Sequence, residues 1–76
     1  MNGRYTIKQL SVDLERINGM ARDAGIKHQL EANHRCGYVG LDYEGGAKTV
    51  TTGTAKHCYA KACEWLMFEL HAKLVG

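Results

Sequence analysis

The stretch Gly25-Ile26-Lys27-His28-Gln29-Leu30-Glu31-Ala32-Asn33-His34 holds the point where the apolar period of the chain changes, and that change decides the fold. Before it, Ile7, Leu10, Leu14, Ile17, Ala21 and Ala24 recur at alternating spacings of three and four, which predicts a helix with one apolar stripe. Thr6 and Gln9 have the spacing of a capping box, and Tyr5 and Leu10 that of a hydrophobic staple. Gly25 stands where a left-handed cap is wanted, with Ile26 free to fold back onto the last turn. A second reading makes Tyr5 to Leu10 a strand and starts the helix after Ser11, itself a competent N-cap. After Ile26, His28, Leu30, Ala32 and His34 alternate with polar residues, as on a strand covered on one face.

The same period continues downstream. Tyr38 to Glu44 places Val39, Leu41 and Tyr43 on one side and Gly40 and Asp42 on the other, with Arg35, Cys36 and Gly37 as the connection. Glu44-Gly45-Gly46-Ala47 reads as a hairpin turn, and Lys48 to Thr52, rich in β-branched residues, as a third strand. Thr54 is the N-cap of a last helix from Ala55 to about Leu74, with Ala55, Tyr59, Ala62, Cys63, Leu66, Leu70 and Leu74 as its core stripe. The predicted order is α-β-β-β-α: a three-stranded antiparallel meander with both helices on one face, a single two-layer α+β domain over residues 1–76. Its expected core is Ile7, Leu10, Leu14, Ile17, Leu30, Val39, Leu41, Tyr59, Ala62, Leu66 and Leu70.

A chain of 76 residues holds one small core and little room for a substrate cleft, which favours a binding module over an enzyme. Residues 1–46 carry six Lys/Arg against six Asp/Glu, so the whole net charge of +2 lies in the remainder. Such a balance gives little general attraction for phosphate, and any nucleic-acid role must rest on a local cluster. The start of the chain lacks the apolar stretch of a signal peptide and no run suits a membrane span, so a cytoplasmic protein without membrane partners is expected. Three cysteines, Cys36, Cys58 and Cys63, cannot all pair within one chain, which points to free thiols.

Two resemblances follow from these residues. The element order, with Thr54-Ala55-Lys56-His57-Cys58-Tyr59-Ala60-Lys61-Ala62-Cys63, is similar to the double-stranded-RNA-binding domain, whose second helix opens on a Lys-Lys-x-Ala-Lys motif. Ala60 and Lys61 stand in its register, while His57 and Cys58 replace its leading lysines. This resemblance implies phosphate binding through Lys48, Lys56, His57 and Lys61. More of the chain resembles small accessory proteins of phages and prophages: a helix ending near Gly25, a strand leading to Gly37-Tyr38-Val39, the Gly45-Gly46 turn and a hydroxyl-capped last helix. Some phage proteins of this size block a host defence or regulatory protein, anti-CRISPR proteins among them, and the resemblance implies a partner-binding role in the host cytoplasm.

The chemistry-bearing side chains form no familiar site. His34 with Cys36, and His57 with Cys58 and Cys63, lack the short paired spacings of zinc ligands. Cys58 and Cys63 diverge by about 140° on a helix, with Cys63 expected in the core and Cys58 on its flank. No serine or cysteine has a base placed to activate it, so no catalytic residue, metal or cofactor is assigned. Gly45-Gly46 followed by Lys48 lacks the longer phosphate-loop fingerprint. Lys56, His57 and Lys61 at the start of a helix oppose its dipole, at a cost of about a few tenths of a kcal/mol that a bound phosphate would offset.

Trp65 and Phe68 are the most informative. Both lie roughly 100° or more from the centre of the expected stripe, with Lys61 and Ala72, and suggest a second apolar strip on the last helix. The expected function is therefore a non-enzymatic module that binds a host protein, or a second copy of itself, through Trp65, Phe68, Lys61 and Ala72. Nucleic-acid binding through the basic cluster is the alternative.

Overall fold

The computed structural model describes residues 5–43 and 48–75, and the hairpin turn expected over Glu44–Ala47 lies outside the described residues. The elements are α1 (Ile7–Asp23), β1 (Leu30–Arg35), β2 (Tyr38–Tyr43), β3 (Lys48–Gly53) and α2 (Ala55–Val75). This is the expected α-β-β-β-α order, with the strands in an antiparallel meander β1-β2-β3. β1 starts two residues later than the alternation from His28 suggests. His28 instead meets Tyr43 edge to face, with ring centroids 5.7 Å apart.

The start of α1 follows from its cap. Thr6 is extended, its hydroxyl accepts from the Gln9 N–H, and the Gln9 side chain accepts from the Thr6 N–H. These reciprocal bonds satisfy two donors that a bare helix end leaves unpaired, and they decide against a start after Ser11. The other end closes at Gly25, where φ is +85° and the Ile26 N–H returns to the Ala21 carbonyl. That turn buries Ile26 against the core. The β1–β2 connection is only Cys36-Gly37, and Gly37 supplies its positive φ of +77°.

The helices share one face of the sheet and run in the same direction. At one end the Tyr5 and Tyr59 rings lie 5.5 Å apart; at the other Lys73 Nζ donates to the Gly25 carbonyl. α1 packs on β1, and α2 covers β2 and β3. One cluster fills the space between the layers: Leu10, Leu14, Ile17 and Ala21 from α1, Leu30, Val39 and Leu41 from the sheet, and Ala55, Cys58, Ala62 and Leu66 from α2, closed by Ile26. Ile7, Tyr59 and Leu70, expected in the core, pack at its margin and stay half-exposed.

The lining of α2 corrects the expected stripe. Its buried residues are Ala55, Cys58, Ala62 and Leu66, so the face turned inward is rotated by roughly 45° from the one expected, towards Trp65. The small side chains of Ala55, Cys58 and Ala62 let the helix lie close to β2, where Cys58 Sγ donates to the Val39 carbonyl at 3.5 Å. Cys58 is therefore fully buried and Cys63 half-exposed, the reverse of the expectation. Leu74, expected in the stripe, is 86% exposed: the rotation turns it outward, near the end of the helix.

Asp42 faces away from the helices, as alternation requires, yet is only 1% exposed. Its carboxylate accepts from Asn33 Nδ2 at 2.7 Å and from Thr49 Oγ1 at 2.9 Å, joining all three strands. A charge removed from water needs such partners, and the sheet supplies them from both neighbouring strands.

Candidate functional site

His57, Lys61, Trp65 and Phe68 of α2 gather around one irregularity in β3. Leu41 pairs with Thr51 and Asp42 with Thr49, so Val50 is an extra residue in the ladder. Such a bulge re-aims side chains. Here Thr49 stays on the Asp42 face, Val50 packs against the helix-side core, and Thr51 Oγ1 lies 3.0 Å from His57 Nε2 on α2.

Val50 then forms one wall of a shallow groove of about 240 Å³, whose other wall is Lys61, Glu64, Trp65 and Phe68 of α2. Three of the four residues expected to bind a partner, Lys61, Trp65 and Phe68, meet there. Ala72 is exposed beyond the groove and does not line it. Trp65 is half-buried and packs against the core, so it is partly structural. Phe68 is 73% exposed. Lys61 Nζ approaches Glu64 Oε1 at 3.4 Å, setting a charged pair at the rim beside the apolar floor.

The basic cluster has a different character. Thr54 caps α2, its hydroxyl accepting from the His57 N–H at 3.1 Å, while the His57 ring meets Thr51. Lys56 is exposed in the first turn, and Lys48 stands at the start of β3, opposite Tyr43. The charge of Lys61 is shared with Glu64.

Among the described residues, no group of three or more His, Cys, Asp or Glu side chains is placed to hold a metal ion. His34 and Cys36 are both exposed near the β1–β2 turn. Burial first, and then the Asp42 carboxylate, pushes the Cys58 thiol above its ordinary range, the opposite of what a nucleophile needs. No described helix is long and apolar enough to cross a membrane.

No protein-family profile, curated protein or solved structure matches the chain.

Of this lining, sequence reasoning singled out Trp65, Phe68 and Lys61 and gave Val50 and Glu64 no role. Val50 gave no signal, because it borders α2 only through the bulge. Glu64 follows Lys61 by three positions, a spacing that could have marked the pair.

Proposed function

We propose that the chain is a non-enzymatic protein-binding module that docks a partner on the groove between β3 and α2. The observation that carries this reading is Phe68, a large aromatic side chain left 73% exposed next to Trp65 and beside the Lys61–Glu64 pair. An aromatic anchor flanked by a second ring and rimmed by charge is the usual composition of an interface centre. Trp65, held by the core, offers a rigid surface that loses little entropy on binding. The resemblance to small phage-borne proteins adds the kind of partner: a host protein whose action is blocked by occupation of its surface, as anti-CRISPR proteins do. The host cytoplasm is the compartment this reading requires.

Phe68→Ser tests the reading better than a double change, because Trp65 also supports the fold. Light scattering of the parent chain separates a second copy from a different protein as the partner. With a monomeric parent, the variant should melt like the parent and lose the partner in a quantitative pull-down from host lysate. Unchanged recovery of that partner would sink the reading.

A further inference from the structure

The free edge of β1 carries an observation independent of the α2 groove. Both main-chain groups of Leu30 point away from β2: its N–H donates to Asn18 Oδ1 and its carbonyl accepts from Asn18 Nδ2, each at 2.8 Å. In an antiparallel strand these directions alternate with a period of two. The N–H and C=O groups of Ala32 and His34 therefore point to the outer edge as well, while those of Glu31 and Asn33 serve the ladder with β2. Among the described residues no backbone or side-chain group bonds to the four outward groups of Ala32 and His34.

A groove of about 200 Å³ runs beside this edge as far as Ala32, bordered by Leu14, Glu15 and Asn18 of α1 and by Leu30, Glu31 and Ala32. The Asn18 carboxamide presents one donor and one acceptor side by side, as a peptide group of a neighbouring strand does. One position of the edge is thus already bound as a strand would bind it, and the next two are open. Glu15 on α1 and Glu31, opposite Asp42 on the open face of the sheet, are exposed and have no ion-pair partner among the described residues, so negative charge borders this edge on both faces. The opposite edge is less suited to pairing, because the extra residue Val50 interrupts the regular spacing of β3.

We propose that β1 receives an extended peptide segment of a partner protein as a fourth strand, hydrogen-bonded to Ala32 and His34, with a Lys or Arg side chain against Glu31 on the open face of the sheet and its alternate, apolar side chains turned towards the α1 groove. Main-chain pairing supplies affinity in such an arrangement, and the charge beside the edge supplies selectivity. The site stands on the far side of the sheet from Phe68 and survives if the α2 reading fails.

The experiment is a titration of isotope-labelled protein with the acetylated, amidated peptide Thr-Val-Lys-Val-Lys-Thr, followed by amide resonances and hydrogen exchange. The expected result is shifts along Leu30–Arg35 and slowed exchange at Ala32 and His34. Ala32→Pro removes one outward N–H without touching the ladder to β2, a place where an edge strand tolerates proline. It should weaken binding about tenfold. The same peptide with every amide N-methylated should bind at least as poorly to the unaltered protein, which keeps the test decisive if the proline variant does not fold. Glu31→Lys should weaken binding as well. Shifts confined to the Phe68 face, no shift at millimolar peptide, or equal binding of the N-methylated peptide would overturn the proposal. Line broadening of β1 with protein concentration alone would replace it with self-pairing.

Discussion

Asn18 holds both main-chain polar groups of Leu30 through its carboxamide, each bond 2.8 Å long, and so fastens α1 to the edge of the sheet. Asn18→Ala removes both bonds at a half-buried position and should cost about 1–3 kcal/mol. Asn18→Asp can still accept from the Leu30 N–H but sets a carboxylate against its carbonyl, and should be no better than alanine. Urea melts of the three proteins give the comparison. An unchanged midpoint for Asn18→Ala would mean that the pair contributes nothing to the α1–β1 contact.

The two layers depend on the buried leucines. Leu14→Ala and Leu66→Ala should each cost about 2–5 kcal/mol, enough to unfold much of a domain this small. Cys58 sets the distance between α2 and β2, so Cys58→Leu should destabilise by about 1–3 kcal/mol through overpacking, whereas Cys63→Leu at the half-exposed margin should be milder. Thermal denaturation reads these differences directly. A Cys58→Leu variant as stable as its Cys63 counterpart would place the wrong cysteine against the sheet.

Most of the fold is legible in the sequence because the apolar period switches cleanly at Ile26 and each joint has its own chemistry, from the Thr6–Gln9 box to the Thr54 cap. The face of α2 is not. That helix carries apolar residues nearly all the way round, with Tyr59, Cys63, Leu70 and Leu74 on one flank and Cys58, Trp65, Phe68 and Ala72 on the other. Its orientation is settled by which side chains are small enough to approach β2, a property of packing rather than of period. The groove was half visible for the same reason: its α2 wall follows from helical spacing, but Val50 joins it through a bulge that no local pattern announces. The burial of Asp42 depends on Asn33 and Thr49, which only strand register brings together.

Stability should fall in alkali. The Cys58 thiol is raised by burial and by Asp42, and the Tyr5 phenol by burial and then by its hydrogen bond to Asp13, so the fold favours the protonated form of both. Their contribution is complete below the ordinary thiol range. It is lost as pH rises through the unfolded values, 9.0 for the thiol and 10.0 for the phenol, towards the higher folded ones. Melting temperature measured from pH 7 to 11 should be level at first and then decline. Cys58→Ala together with Tyr5→Phe should flatten the decline, and an equal fall in that variant would assign it to other groups.

The thiols should separate by reactivity. Cys36, exposed in the β1–β2 turn, should react with a disulfide reagent at once, Cys63 more slowly, and Cys58 only when the protein unfolds. Mass spectrometry of the native protein after a short labelling pulse resolves the three. Early modification of Cys58 would contradict its place between α2 and β2.

The basic cluster should not confer nucleic-acid binding, given that His57 meets Thr51 and Lys61 pairs with Glu64. Fluorescence anisotropy with duplex RNA and DNA at low salt should show no saturable change. A steep salt-dependent affinity that Lys56→Glu or Lys61→Glu removes would make the cluster the functional surface.

Site-specific photo-crosslinking tests the α2 groove most directly. A benzophenone amino acid is placed at position 68, where the native Phe68 is 73% exposed, and in a control at position 12, where Val12 is 63% exposed on α1. Irradiation of cells producing each protein should give one discrete adduct with a partner protein from position 68 and none from position 12. Comparable adducts from both positions, or none from position 68 while the protein remains folded, would contradict a partner surface between β3 and α2.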